Sequence, residues 1–133
     1  MNSALFARPN SLFTYQDPNN VVDFTGLEGY LVADNNGALT ISNSATVPAV
    51  AVVVDGLPAG RPTSFGTLGK TPPVRLRAAG TIAQFSRLVQ NAAGQVVTDP
   101  GPGNARVIVG LSLESASAGD FFLADPCFPT IAS

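Results

Sequence analysis

Val50-Ala51-Val52-Val53-Val54 is an uninterrupted apolar stretch, almost entirely valine, and it decides the fold class. Valine favours extended backbone, and a strand without polar residues on either face is typical of one that is covered on both sides. Two other stretches alternate instead, Val74-Arg75-Leu76-Arg77 and Val109-Gly110-Leu111-Ser112-Leu113. In the first, the apolar residues should face inward and both arginines outward. All three stretches predict short β-strands.

Glycine and proline interrupt the chain every few residues. The 13 Gly and 11 Pro leave almost no window long enough for a helix of average length. Many short strands separated by closely spaced turns predict an all-β fold, either a small β-barrel or a β-sandwich. The turn signals lie between the predicted strands, at Asn35-Asn36-Gly37, Ala93-Gly94, Asp99-Pro100-Gly101-Pro102-Gly103 and Ala118-Gly119-Asp120.

The chain also contains a weak internal repeat. When the sequence is shifted so that Leu31-Val32 falls on Leu88-Val89, turn glycines and apolar positions coincide further along both copies. We therefore predict one β domain, residues 21–133, built from two similar β units at about 22–76 and 77–133. The further matches are Gly37 with Gly94, Leu39 with Val96, Val50 with Val107 and Val52 with Val109.

Residues 1–20 have a different character. They contain Pro9, Pro18 and several Asn and Ser residues, and their apolar residues follow no sustained period, so we predict an extended N-terminal arm. Those apolar residues either pack back on their own domain or contact a partner. They are Leu5, Phe6, Leu12, Phe13 and Tyr15.

The charge of the chain excludes several classes of partner. The formal net charge is -2 and Lys70 is the single lysine, so nothing predicts binding to nucleic acid.

The longest apolar run, Val47 to Val54, is far too short to cross a bilayer, and we expect no membrane partner and no signal peptide. Charged residues make up 12% of the chain, about half the usual share, which indicates that partners cover part of the surface.

The residues needed for catalysis are scarce. There is no histidine, which removes the commonest general base and metal ligand, and Cys127 has no basic neighbour in sequence that would activate it. Gly66-Thr67-Leu68-Gly69-Lys70-Thr71 resembles the end of a phosphate-binding loop, but Ser64 stands where that motif needs glycine. Asp34-Asn35-Asn36-Gly37 has too few oxygen ligands to bind calcium, and its Asn-Gly pair predicts a hairpin turn instead. We expect no enzyme activity, no cofactor and no metal.

Arg75 and Arg77 share one face of a predicted strand. Arginine is favoured where an interface grips carboxylates, so this pair is a candidate interface with a partner. The alternative is a solvated strand face with local ion pairs, which contribute little to stability.

The second half of the chain resembles the bacteriophage capsid decoration proteins, also called cement or head-stabilising proteins. In that family a Gly-small-Ile-Ala entry precedes an apolar strand, a Gly-x-Val hairpin and a Val-Ile-Gly strand follow, and an Ala-Ala-Gly-Asp turn leads into a closing strand. Gly29 to Gly60 is similar in the same order, although Gln84-Phe85-Ser86-Arg87 stands where the family usually has a Gly-Asp turn. The stretches that carry the likeness are 77–83, Leu88-Val89, 94–97, 107–111 and 116–120.

The resemblance implies a structural virion protein that is made in the host cytoplasm and added to the capsid exterior. It implies a homotrimer at three-fold or quasi-three-fold positions, where each subunit clamps neighbouring major capsid proteins. The apolar residues of the arm would then bind the capsid through backbone pairing and buried side chains. An alternative is the receptor- or glycan-binding head of a phage fibre or adhesin, which the absence of Trp and the presence of only two Tyr disfavour.

Overall fold

The computed structural model describes residues 12–15, 22–70 and 73–133, and these residues form ten β-strands and no helix. The strands make two antiparallel sheets of five. Their bounds are β1 Leu12–Tyr15, β2 Leu31–Asn35, β3 Ala38–Ile41, β4 Ala51–Asp55, β5 Thr63–Thr67, β6 Val74–Arg77, β7 Arg87–Gln90, β8 Val96–Thr98, β9 Arg106–Ser112 and β10 Phe121–Ala132.

The strand order shows that the two sheets are built alike. The first runs β1-β5-β4-β2-β3 and the second β6-β10-β9-β7-β8, so each strand of the second sheet is the counterpart of one five places earlier. In both units the second and third strands form a hairpin, the fourth strand pairs with the second, and the fifth pairs with the fourth. The first strand of each unit then pairs with the fifth. The all-β prediction and the prediction of two similar β units are confirmed, although β6, predicted to end the first unit, is the first strand of the second sheet.

The two sheets enclose a common core. Leu31, Val52 and Leu68 from the first unit pack with Leu88, Val109 and Phe122 from the second, and all six are buried. Burial of side chains of this size contributes about 1.5–3 kcal/mol each. After β6, Ala79 N donates to Val96 O of β8 at 2.9 Å, so the second sheet curls toward closure. This contact gives the second unit its half-barrel shape.

The middle of the valine stretch, Ala51 to Val53, is covered on both faces as predicted, whereas Val50 and Val54 at its ends are 43% and 37% exposed. Val52 faces the common core, whereas Ala51 and Val53 belong to a second cluster on the opposite side of the sheet with Phe24 and Phe65. The segment that begins at Val22 covers this outer cluster. β4 therefore needs no polar face, which explains its composition.

The alternation at Val109 to Leu113 predicts that Val109, Leu111 and Leu113 all face inward. This prediction is wrong beyond Val109. Leu88 pairs with Gly110 and Val89 with Ile108, so Val109 is the extra residue of a β-bulge. The bulge shifts the side-chain phase by one residue, which leaves Leu111 exposed and Ser112 buried. The predicted phase at Val74 to Arg77 is confirmed, because Leu76 is buried and Val74 packs against the core.

One polar side chain joins the two units inside the core. Gln90 of β7 is 2% exposed, and its Oε1 accepts a hydrogen bond from Ala49 N at 3.0 Å. Its Nε2 donates to Ser44 O at 2.7 Å and to Val47 O at 2.8 Å, and it lies 3.3 Å from Ser42 Oγ. Every polar atom of the amide has a partner, so Gln90 fixes the loop before β4 to the second unit.

Several turns form as the sequence predicts. Asn36 and Gly37 both have positive φ, at 55° and 87°, as a two-residue type I′ hairpin turn requires. Carboxylates accept hydrogen bonds from turn backbone, as Asp34 does from Gly37 N and Asp120 from Ser117 N. Asp99 accepts one from Gly101 N and is also paired with Arg106.

Candidate interaction surface

Part of the predicted arm lies in the first sheet. β1 pairs antiparallel with β5, with Leu12 opposite Gly66 and Tyr15 opposite Thr63. The Phe13 ring stacks on Phe65 with centroids 5.4 Å apart, and Phe13 is 37% exposed. The other two apolar residues predicted for capsid binding, Leu5 and Phe6, lie outside the described residues. Capsid binding by the arm stays a prediction.

The two arginines of β6 point outward and make contacts within their own chain. Arg77 Cζ lies 4.6 Å from the centroid of the Phe121 ring, and Arg77 Nε donates to Glu28 O at 2.9 Å. Arg75 Nη1 lies 3.2 Å from Glu114 Oε2, and both side chains are about half exposed. An exposed pair of this kind contributes at most about 1 kcal/mol. Arg77 thus bridges the two units, and the role of both arginines in an interface with a partner stays a prediction.

An apolar surface surrounds a shallow groove between the two units. The groove has a volume of about 310 Å³, and Phe128 on its wall is 76% exposed. Val50, which also lines the groove, is 43% exposed, and Val47, three residues earlier in the chain, is 58% exposed. We call this the Phe128 surface: Val47, Pro48, Val50, Phe128 and Pro129, with the buried Leu68 beneath them. Exposed apolar patches on soluble proteins commonly mark sites of protein contact.

A second exposed aromatic residue lies elsewhere on the second unit. Phe85 is 64% exposed and precedes β7, at the tip of a turn that hydrogen bonds to β9. The exposed residues on the adjoining segments are mostly small or polar, and Arg87 and Asp120 are the exposed charged residues among them. We call this the Phe85 surface: Thr81, Ala83, Gln84, Phe85, Ser115 and Ser117.

Both surfaces were missed as sites in the sequence because exposure of a single aromatic residue has no sequence signature. Phe128 sits in a segment that also carries Phe121 and Phe122, and of these three Phe122 is core, Phe121 is 41% exposed and Phe128 is the most exposed. Phe85 lies in the stretch that departs from the resembled pattern, and that departure was the one signal that pointed to it.

The described residues include no group of three His, Cys, Asp or Glu side chains close enough to hold a metal ion. Burial raises the pKa of the Cys127 thiol, and its Sγ lies 3.8 Å from Ile108 O. A raised pKa keeps the thiol protonated at neutral pH and makes it a poor nucleophile. In the part of the chain that the structure describes, no helix is long and apolar enough to cross a membrane.

No protein-family model matches the sequence, and no curated protein matches it. The fold is similar to a solved structure, the N base of the head fiber protein gp8.5 of bacteriophage phi29, with a TM-score of 0.58. The alignment covers 92% of this chain and 92% of that chain at 18% sequence identity. The likeness extends over nearly the whole of both chains, and it shows that they share an all-β, two-unit architecture.

Proposed function

We propose that this chain is a structural protein of a phage head that binds the outer surface of the capsid and stabilises it by clamping neighbouring major capsid proteins. The observation that carries the proposal is the likeness, over 92% of both chains, to a base domain whose description places it on a phage head. The capsid decoration pattern in the sequence points to the same class independently. In this role the protein is made in the host cytoplasm, acts on the capsid exterior and catalyses no reaction.

The described surface supports a binding role without charge. Besides its low charge, the chain exposes Phe85 and Phe128 to solvent at 64% and 76%. Aromatic residues of this kind supply much of the binding energy in protein interfaces. A β-sheet protein with exposed aromatic residues is suited to binding another protein surface, here the capsid, more than to binding nucleic acid or membrane.

The test is sedimentation with expanded capsids of the same phage that lack this protein. We expect saturable co-sedimentation of the full chain, and a weaker interaction for a form without residues 1–11. This deletion keeps β1, whose removal would expose Phe65 and confuse a binding defect with a folding defect. A lack of binding by the intact chain would contradict the proposal.

We further propose a homotrimer, which would suit three-fold or quasi-three-fold positions on a capsid. The Phe128 surface supports self-association because contacts between permanent subunits are the most apolar class of interface. A ring can close when a patch on one copy meets a different patch on the next. Sedimentation equilibrium of the free protein measures its mass directly.

The second candidate function is the receptor- or glycan-binding head of a phage fibre. The description of the similar structure as part of a head fiber favours it. A glycan array separates the two functions: binding to a defined glycan, with no binding to capsids, would favour the fibre role.

A further inference from the structure

Phe85 has a backbone conformation that phenylalanine rarely adopts. Its φ is +63°, and among the described residues Asn36 is the other non-glycine residue with positive φ. Asn36 lies in a hairpin turn, where asparagine tolerates the left-handed region well. A bulky aromatic residue in that region is an outlier, so the surrounding structure must hold it there.

Hydrogen bonds to β9 hold this conformation. Phe85 N donates to Ser112 O at 2.9 Å, and Ser112 N donates to Ser86 O at 2.9 Å, so Phe85 and Ser86 together face the single residue Ser112. Ser112 Oγ also accepts from Ser86 N at 2.8 Å and lies 2.7 Å from Ala83 O. Two residues opposite one, the first with positive φ, form a β-bulge whose first position is usually glycine.

The first unit contains the same bulge with glycine. There Gly29 N donates to Val53 O at 2.9 Å, and Val53 N donates to Tyr30 O at 3.0 Å. The matching bonds put Gly29, at φ +87°, in the first bulge position, which Phe85 takes in the second unit, although the sequence repeat aligns Gly29 with Ser86. At Gly29 a side chain would also meet the ring of Phe121 at 2.7 Å, whereas at Phe85 the side chain points into solvent. The fold therefore requires a left-handed residue at both positions, and it does not require an aromatic ring.

We propose that Phe85 is an anchor residue that inserts into an apolar pocket on the capsid shell. The proposal rests on the capsid-binding function above and names the residue that performs it. Packing does not explain the ring, because 64% of Phe85 is exposed, and backbone preference does not explain it, because glycine or asparagine would adopt this conformation more easily. Contact with a partner is the remaining role for the side chain.

The surroundings of Phe85 fit a partner that folds separately. Thr81, Ala83, Gln84, Ser115 and Ser117 are exposed and small or polar, and the exposed charges beside them are those of Arg87 and Asp120. One aromatic anchor inside a polar rim is typical of interfaces between proteins that also exist apart. A finished capsid is such a partner, whereas the apolar Phe128 surface has the composition expected between copies of this chain.

The rigidity of the turn favours this role. The bonds to Ser112 fix the backbone on both sides of Phe85, and Gln84 Nε2 donates to Leu113 O at 3.2 Å. An anchor that is already ordered loses less conformational entropy when it binds.

The experiment compares wild type with Phe85→Gly and Phe85→Ala in capsid co-sedimentation and in thermal unfolding. We expect both variants to bind capsids about ten-fold or more weakly, as loss of an anchor predicts. Phe85→Gly should unfold at the same temperature as wild type or higher, because glycine relieves the backbone conformation. The matched control is Asn36→Gly, the same kind of relief at the β2–β3 turn, which should leave capsid binding unchanged.

The outcomes separate this inference from the proposed function. If wild type does not bind capsids, the capsid function itself fails. If wild type binds and Phe85→Gly binds equally well, the anchor is refuted and the function stands. An unfolding temperature lowered by about 3 °C or more in Phe85→Gly would assign the ring a structural role, and a change in oligomer mass would assign it to contacts between copies; either result overturns the proposal.

Discussion

At the scale of single residues, the two units are held in register by a few polar groups inside an apolar core. The side-chain amide of Gln90 forms hydrogen bonds with four groups on the loop before β4. The neighbouring apolar side chains cannot replace it because they have no hydrogen-bond donors or acceptors. A buried polar group of this kind stabilises the fold as long as every bond is made, and becomes costly when one is lost.

Gln90→Glu keeps the shape of the side chain and changes only its hydrogen bonding. A carboxylate would face Ser44 O and Val47 O, which now accept from Nε2, so we expect a loss of about 3 kcal/mol in the free energy of unfolding. Urea denaturation measures it. Gln95→Glu, at a partly exposed position, is the control and should change stability by less than about 0.5 kcal/mol. Equal effects of the two substitutions would refute the role assigned to Gln90.

Asp99 gives the protein a defined acid sensitivity. The hydrogen bond from Gly101 N, followed by the bond and charge of Arg106, holds the pKa of the Asp99 carboxyl below its ordinary value, against the opposing effect of burial. A carboxyl with a lowered pKa in the folded state stabilises the fold above its unfolded pKa. This stabilisation is complete above about pH 5 and is lost as the pH falls through 3.8 and then through the lower folded pKa.

Asp99→Asn should remove that contribution. The substitution leaves the buried Arg106 without its carboxylate, so we expect the free energy of unfolding at pH 7 to fall by about 2 kcal/mol. The difference from wild type should shrink as the pH falls below 3.8, which thermal unfolding between pH 2.5 and 7 would reveal. A difference that stays constant over this range would show that the charge of Asp99 is not the cause. Asp34→Asn, at an exposed turn, is the control.

At the scale of elements, one pair of matching turns in the two units differs in how closely it packs. Gly37 and Gly94 are counterparts in the sequence repeat, and both have positive φ, at 87° and 76°. A Cβ at Gly37 would meet no atom within 4 Å, whereas a Cβ at Gly94 would lie 2.7 Å from Ile41 Cγ2 of the other unit. Gly94 O also accepts a hydrogen bond from Leu31 N at 2.8 Å. The β7–β8 turn therefore packs closely against the first sheet.

Gly94→Ala and Gly37→Ala form a matched pair that separates backbone preference from crowding. Both substitutions should lower the free energy of unfolding by about 1 kcal/mol because alanine disfavours positive φ. Gly94→Ala should lose about 1–3 kcal/mol more, since Ile41 and the Leu31 backbone must move. Chemical denaturation of both variants measures the difference. A similar loss in the two would contradict the close packing of the units at Gly94.

What the sequence predicts at this scale follows from local physics. The buried middle of the valine stretch, the Asn36-Gly37 turn and the alternation around Leu76 are set by neighbouring residues, and each is found as predicted. The bulge at Val109 depends on pairing with the distant strand β7, so no local pattern announces it. The exposure of Phe85 and Phe128 likewise depends on which segments pack around them, and the arm could not be divided at Leu12 before its pairing with β5 was known.

At the scale of the whole molecule, we propose different contacts for the two aromatic surfaces. The Phe128 surface is apolar and includes residues of both units, which suits contacts between copies. Phe128→Asp places a charge in that surface, and we expect the free protein to shift from trimer to monomer with little change in its unfolding temperature. Sedimentation equilibrium measures the shift. Phe85→Asp, at the exposed aromatic residue of the other surface, is the control and should leave the mass unchanged. An unchanged mass for Phe128→Asp would exclude the Phe128 surface from the trimer contact.

The central claim is that this two-unit β protein clamps the outside of a phage capsid, and the most direct measurement is the difference density between capsids with and without it, imaged by electron cryomicroscopy. The account predicts density on the outer surface that bridges neighbouring major capsid proteins at three-fold or quasi-three-fold positions, with the Phe85 turn against the shell. Density that touches one capsid protein alone or stands away from the shell at the end of a fibre, or no added density at saturating protein, would contradict it.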